Sequence, residues 1–295
     1  MIKHSFKQLE YRFKVIRAQI TSDKNYRKNK FKKLFGTELD LNPPNTLNEK
    51  INYRMIFQRN NFFTIVADKV AVRDYIELVL GKEYLIPVLS LHDNINMKDF
   101  DDLPQQFVMK CNHDSGSAII CYDKTKLNKD EVIRHFRRHL KKNPYYTNRE
   151  WQYKNIKPKI IVEQLIDVFE GRSKDITPEM FRIHCFHGVP HYIEVDFTTT
   201  TGKEYSNIYN SEWQLQPFTL EFSNTPYIIQ QPATFNKMLE LARKIAVDFD
   251  YCRLDLMSGQ EKIYFSEITL TPESGQLQFH PKEWDERLGK LWRLG

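Results

Sequence analysis

Two runs of strict alternation constrain this chain more than any other feature. In Arg253-Leu-Asp-Leu256 and Glu267-Ile-Thr-Leu270, charged or hydroxyl side chains alternate with aliphatic ones. A period of two belongs to a β-strand whose two sides meet different surroundings. Arg253 and Asp255 therefore share one face of a strand over 253–257, with Leu254 and Leu256 turned to the core. Glu267 and Thr269 likewise share a face of a strand over 263–270. The turn signal Ser258-Gly259 joins the two. A sheet of this kind needs cover on its apolar side, and 235–249 has the pattern of a helix that can supply it.

The remaining pattern agrees with an α+β chain built on mixed or antiparallel sheets. Segments 181–186 and 191–197 flank His187-Gly188-Val189-Pro190 and predict a hairpin. Segments 106–110 and 118–121 read as short strands around a polar loop, and 159–166 as a strongly apolar strand. Thr46-Leu-Asn-Glu49 is a capping-box sequence opening a helix to about residue 57. Asp68 caps a helix over 69–80 that stops at Gly81, and Asn128 caps another that Asn143-Pro144 ends. Trp284, Leu288 and Leu291 mark a final helix. Phe6, Leu9, Phe13, Ile16 and Ile20 recur at helical spacing above a basic face, followed by a basic connector over 25–33.

With 295 residues and 41% hydrophobic content, the chain can bury a sizeable core. Its net charge of +6 is unevenly placed: residues 1–33 carry +9 and the rest −3. The basic character belongs to an arm, and the slightly acidic body argues against nucleic acid as a partner. Cys111, Cys121, Cys185 and Cys252 are widely spaced and read as free thiols in a reducing, cytoplasmic setting. No run is apolar and long enough to span a bilayer. Neither a G-x-x-x-x-G-K-[ST] loop nor a G-x-G-x-x-G fingerprint occurs, which disfavours P-loop and Rossmann nucleotide sites.

Asp255 and Glu267, on neighbouring strands, offer the hard oxygens that magnesium prefers, although an Arg253–Asp255 salt bridge would use the same letters. Lys110 ends a strand before Cys111-Asn-His-Asp-Ser-Gly-Ser117. Charge and backbone N–H groups there can hold a polyphosphate, and an ordinary hairpin loop fits equally. Glu163, near the end of its strand, can accept from an adenine amino group, or it can simply face solvent. Glu170 can take ribose hydroxyls, as can Asp175. His184, His187 and His191 are scattered by the hairpin and read as satisfied or surface histidines rather than zinc ligands.

Taken in order, these pieces resemble the ATP-grasp superfamily, in particular its TupA-like branch, which is linked to teichuronopeptide and other surface polysaccharides. The matching run is Leu47-Asn-Glu-Lys-Ile51, Ala67-Asp-Lys-Val-Ala-Val-Arg73, Val108-Met-Lys-Cys-Asn-His113, Ile161-Val-Glu-Gln-Leu165, Phe186-His-Gly188, Arg253-Leu-Asp255, Glu267-Ile-Thr269 and Trp284-Asp285. The resemblance implies an ATP-grasp fold in three parts: an N-terminal helical part over 1–104, a small lid over 105–162 and a catalytic core over 163–295. ATP would lie between lid and core. Lys69 and Lys110 would reach its phosphates, with Ser115, Gly116 and Ser117 in the lid loop. Glu163, Gln164, Leu165 and Ile166 would meet adenine, and Glu170 the ribose. Arg182 and Arg253 would act on the transferring group. Asp255, Glu267 and Thr269 would hold Mg2+, with threonine standing where many relatives have asparagine.

The activity so implied is an ATP-dependent carboxylate–amine ligation. A carboxylate is phosphorylated to an acyl phosphate, which an amine then attacks. A saccharide carboxylate such as a uronic acid and an amino acid or amine are the expected partners. Kinase or glycosyltransferase chemistry on a saccharide is the alternative, since a fold does not fix a reaction. Ser274 and Gly275, just after the metal strand, are expected to shape the acceptor pocket. The arm over 1–33 either packs on the body or lies on an anionic membrane, placing the enzyme peripherally at the inner face of the cell membrane.

Overall fold

The computed structural model describes residues 2–295, with side chains from Leu9 onward, so Phe6 of the apolar stripe lies outside the described side chains. The elements run α1 (Ile2–Ile20), α2 (Asp23–Phe35), α3 (Leu47–Phe57), α4 (Asn61–Ala67), α5 (Val72–Val79), β1 (Val88–His92), β2 (Phe107–Cys111), β3 (Ile119–Cys121), α6 (Lys129–His139), α7 (Pro144–Asn148), β4 (Ile160–Gln164), β5 (Met180–Phe186), β6 (Val189–Thr198), β7 (Glu204–Asn210), α8 (Phe235–Ala246), β8 (Tyr251–Ser258), β9 (Ile263–Thr269) and α9 (Glu283–Leu291). The chain is α+β with antiparallel sheets, as the alternation predicts. It divides into two compact units that share the sequence unevenly: 1–39, 54–72 and 87–165 form the first, and 40–53, 73–86 and 166–295 the second.

The first unit holds an antiparallel four-stranded sheet in the order β1-β4-β2-β3. Lys110 pairs with Ile161 and Val108 with Glu163 across β2 and β4. Phe107, Met109, Ile160 and Val162 are buried against Val132, Ile133 and Phe136 of α6. Burying an aliphatic or aromatic side chain of this size contributes about 1.5–3 kcal/mol each. The Asn128 side chain accepts from Glu131 N at 3.1 Å and starts α6. Asn143 does not end this helix. The α6 hydrogen bonding stops at Leu140, and Asn143 caps α7 by accepting from Tyr145 N at 3.0 Å, with Pro144 at the first helical position. Proline is tolerated there because that N–H has no helical partner anyway.

One expectation about the N-terminal arm is corrected. The basic connector is a helix, α2, capped by Ser22 and anchored by buried Arg27 and Phe31. Its single buried apolar position hid it from a periodicity reading. In α1, the stripe does not pack inward: Leu9, Phe13, Ile16 and Ile20 are 50–80% exposed. The helix docks by its other side, where the Tyr11 hydroxyl accepts from Asn143 N at 2.7 Å and its ring meets Tyr146 edge-on at 6.4 Å.

The second unit is organised by an antiparallel five-stranded sheet, β7-β6-β5-β8-β9. One face carries Phe181, Ile183, Ile193, Val195, Cys252 and Leu254, all buried, and α8 lies along these strands with Met238, Leu241 and Ile245 also buried. The capping box is present at α3: Glu49 N donates to Thr46 Oγ1 at 3.1 Å, and Thr46 N donates to Glu49 Oε2 at 3.0 Å. Asp285 of α9 fastens the start of α3 by accepting from Asn48 N at 2.9 Å and from Asn48 Nδ2 at 2.8 Å. Burial pushes the Asp285 carboxyl up to about 6 against those hydrogen bonds.

Candidate active site

The alternation in β5, β6, β8 and β9 puts their polar residues on the face opposite the core. Directly paired residues of an antiparallel ladder project to the same side. Arg182 pairs with Glu194 on one neighbour and with Asp255 on the other, and Asp255 pairs with Glu267. One row of side chains, Glu194–Arg182–Asp255–Glu267, therefore crosses four strands. The adjoining row holds His184, Arg253 and Thr269. Asp196, two residues beyond Glu194, pairs with Ser206 of β7.

Arg253 is the hub. Its Nε and Nη2 donate to the two oxygens of Asp255, each at 2.8 Å, and Nη2 also reaches Thr269 Oγ1 at 3.3 Å. Glu267 Oε1 lies 3.9 Å from Nη2. Burial alone would lower the guanidinium's pKa, but Asp255, Glu194 and Glu267 outweigh it and hold the group firmly cationic. Burial pushes the Asp255 carboxyl upward. The two-pronged guanidinium contact nevertheless marks its ionised form.

Two carboxylates on β6 are driven in opposite directions. Burial works to raise Glu194, but the His184 contact at 2.5 Å and the nearby arginines overcome it and bring the group to about 2. His184 is held on its other nitrogen by the Tyr251 hydroxyl at 3.0 Å. Asp196 pairs with Arg182 at 2.8 Å, yet burial wins there and lifts it to about 6. Such divergence within one site is a common mark of functional carboxylates. Neither Glu194 nor Asp196 was singled out from the sequence. The signal was present, since Glu194-Val-Asp-Phe197 has the same alternation as the run at Arg253.

A cavity of about 190 Å³ opens on this face, lined in part by Arg182, Glu194, Asp196, Ser206, Arg253 and Glu273. The predicted acceptor-pocket residues sit differently from expectation. Ser274 is buried, and Gly275, with φ +64°, packs against Asn52, whose Nδ2 donates to Gly275 O at 3.0 Å. The cavity wall is made instead by their neighbours Glu273 and Gln276. Glu170 does not stand free: it accepts from Gln260 N at 2.6 Å and so closes on the β8–β9 turn. Asp175 accepts from Thr200 N at 3.0 Å. His187 Nε2 accepts from Arg293 N at 2.9 Å, and His191 meets Phe186 edge-on, so the three histidines go to separate partners.

The first unit gathers the other predicted nucleotide residues. Lys110 Nζ lies 2.6 Å from Glu163 Oε2 in a largely buried pair. Lys69 Nζ donates to Asp114 O at 3.0 Å, at the lid loop. In that loop Ser115 and Gly116 are exposed, with Gly116 at φ +86°. Ser117 is turned inward: its hydroxyl accepts from Cys111 N at 2.8 Å and donates to Asp114. Gln164 is exposed and Leu165 half-buried, and the chain leaves the first unit between Leu165 and Ile166.

The donor set suits magnesium, which binds through one or two carboxylates and leaves other positions to water and phosphate. Asp255 and Glu267 are oxygen donors in direct register, and Glu267 is partly exposed. Among the described residues no group of three or more His, Cys, Asp or Glu forms a closed metal cage.

The sequence profile described as TupA-like ATPgrasp matches residues 49–293, and the chain belongs to that family. No curated protein gives a significant sequence match. Among solved structures, it is similar to D-alanine–D-alanine ligase from Bacillus anthracis at 19% identity and TM-score 0.39, covering 70% of this chain and 57% of that one. An L-amino acid ligase from Bacillus licheniformis aligns at 12% identity and TM-score 0.43, covering 86% and 54%. A RimK domain ATP-grasp protein from Sphaerobacter thermophilus aligns at 11% identity and TM-score 0.42, covering 78% and 69%. The chain thus spans little more than half the length of the ligases named here.

Proposed function

We propose that this protein is an ATP- and Mg2+-dependent carboxylate–amine ligase, acting on a sugar carboxylate such as a uronic acid in surface-polysaccharide synthesis. The observation that carries the reading is the row Glu194–Arg182–Asp255–Glu267 beside Arg253, in a chain of the ATP-grasp type. In the first step a substrate carboxylate oxygen attacks the γ-phosphorus, the bond to the β-phosphate oxygen breaks, and ADP leaves. In the second the unprotonated amine nitrogen attacks the acyl carbon, phosphate departs, and the proton shed by nitrogen passes to phosphate. Asp255 and Glu267 would hold magnesium, which when bound neutralises charge on the transferring phosphoryl group. Arg253, fixed by Asp255, and Arg182, fixed by Asp196, would face oxyanions that develop along the path. Lys69 and Lys110, with Ser115, Gly116 and the backbone at Gln164 and Leu165, are assigned to the nucleotide. Ser117 would act by shaping the loop and Ser274 by shaping the cavity wall.

The test is an incubation with ATP, magnesium and a panel of uronates with amines. ADP, phosphate and an amide product of matching mass are expected. AMP with pyrophosphate would overturn the acyl-phosphate route, and a phosphorylated sugar without amide would make the protein a kinase.

The outward stripe of α1 supports a second element of the proposal, an anionic membrane surface as the working place. No described helix is long and apolar enough to cross a membrane. An interfacial helix needs only an apolar side with cations beside it, each adding about 1 kcal/mol on anionic lipid. Co-sedimentation with anionic but not neutral vesicles, lost in Phe13→Ser/Ile16→Ser, is expected. Binding equal on both vesicle types would contradict it.

A further inference from the structure

We propose that the 190 Å³ cavity of the second unit seats the amine substrate, which enters as its ammonium ion and gives up a proton to solvent before it attacks, and that the cavity selects amines carrying a second positive charge. This builds on the ligase reading. The cavity's lining includes four carboxylates, Glu194, Asp196, Glu221 and Glu273, and two guanidiniums, Arg182 and Arg253. Arg253 is taken by Asp255, outside that lining, while Arg182 holds Asp196 and His184 holds Glu194, which leaves Glu221 and Glu273 without a cation among the described residues. The space is therefore short of positive charge, and a cation resolves the shortage at less cost than an anion or a neutral group.

The floor adds an independent sign of a missing ligand. Ser206 is 5% exposed and its Oγ has no hydrogen-bond partner. It faces the Asp196 carboxylate and helps hold that group down, with no hydrogen bond of full geometry between them. A buried hydroxyl without a partner is uncommon because nothing replaces its lost water. An ammonium brings three donors. Asp196 and Ser206, facing each other across β6 and β7, would receive two of them. At the mouth, Glu221 and Glu273 are exposed and make no ion pair among the described residues. Those two carboxylates would repel an acidic amine and attract a second cationic group. The volume equals roughly six waters at about 30 Å³ each, room for a small diamine or the head of a basic amino acid.

The experiment is isothermal titration of the full chain with 1,3-diaminopropane, n-propylamine and L-glutamate. Diaminopropane is expected to bind at least tenfold more tightly than glutamate. Asp196→Asn should weaken it about tenfold and Ser206→Ala a few-fold. Glu221→Gln/Glu273→Gln, at exposed positions that do not threaten folding, should erase the preference for diamine over propylamine. ATP-analogue affinity serves as the fold control in each variant. Diamine binding that is absent, or unchanged in both Asp196→Asn and the mouth variant, overturns the inference. So does tighter binding of glutamate. The two readings fail separately: amide and ADP formed from an acidic amine keep the ligase and sink the cavity assignment. Diamine bound through Asp196 without any ADP release does the reverse.

Discussion

The two sheets are both antiparallel, and they manage charge in opposite ways. On the four-stranded sheet Lys110 meets Glu163 at 2.6 Å in a largely buried ion pair. On the five-stranded sheet three carboxylates, Glu194, Asp255 and Glu267, share a row with the single guanidinium of Arg182, and Arg253 serves that row from the next. A balanced pair must open before either member can serve a ligand. An unbalanced row is already short of a cation and gains when one arrives. The first arrangement suits a site that grips and releases, and the second suits a site that takes up a cation.

The largest effect should come from the unbalanced row. Arg253→Ala removes the donor fork and leaves Asp255 buried without its partner. Loss of one preorganised charge at an oxyanion costs roughly 10²–10³ in kcat. Breaking a buried pair costs a further 3–5 kcal/mol or so of stability. Arg253→Lys separates the two effects: it keeps the charge, so most of the stability returns, while the fork geometry and the rate stay lost. Denaturation and steady-state kinetics of both variants check this. Near wild-type kcat in Arg253→Lys would break the assignment of the row to chemistry. Asp255→Asn and Glu267→Gln should each raise the magnesium concentration needed for half-maximal rate.

A smaller effect concerns pH and separates site from scaffold within the second unit. Asp196 and Asp285 are both lifted by burial from 3.8 to about 6. The native state therefore binds more protons than the unfolded chain between about pH 4 and pH 6. The stability each contributes is fully present below pH 4 and is lost as pH rises through 6. A shift of this size corresponds to about 3 kcal/mol per group at most. Asp196→Asn and Asp285→Asn should each flatten the dependence of unfolding free energy on pH over that window. Asp196→Asn alone should also change amine affinity. A slope of unchanged steepness in both variants would show that other groups set the acid behaviour.

Much of this division was legible before any coordinates. Alternation at Arg253 and at Glu267 fixes which side chains share a face, because a strand leaves no choice. Thr46 and Glu49 announce α3 because a capping box is satisfied within four residues. What escaped depends on partners distant in sequence. The α2 helix lacks an apolar stripe and is held mostly by polar contacts to distant residues, with Arg27 Nη1 donating to Asn148 O at 3.3 Å and Tyr26 donating to Thr147 O at 2.6 Å. The inward turn of Ser117 needs Cys111 and Asp114 in place, and the lock on Gly275 needs Asn52. The outward stripe of α1 follows from Tyr11 finding Asn143, more than a hundred residues away. Glu194 and Asp196 were readable from their alternation. Their divergent ionisation was not, since it comes from His184 on one side and burial on the other.

The smallest effect tests the balanced pair itself. If Lys110 grips nucleotide phosphate and is parked on Glu163 otherwise, the two residues are one device. Lys110→Met should lower the affinity for an ATP analogue about tenfold, the scale of one hydrogen bond to a charged group. Glu163→Gln keeps an acceptor oxygen and gives up the charge, which frees the lysine, so a change of no more than a few-fold is expected. In the Lys110→Met background Glu163 no longer has that lysine to restrain, and its substitution should then act differently from the way it acts alone. A double-mutant cycle on analogue binding by titration reads that coupling, with about 1 kcal/mol expected for residues in contact. Strict additivity would mean that lysine and glutamate serve the nucleotide independently. Repeating the cycle with inosine triphosphate, which lacks the adenine amino group, assigns the glutamate. A Glu163→Gln effect that vanishes with inosine places that carboxylate on the base, and one that persists leaves it as the partner of Lys110.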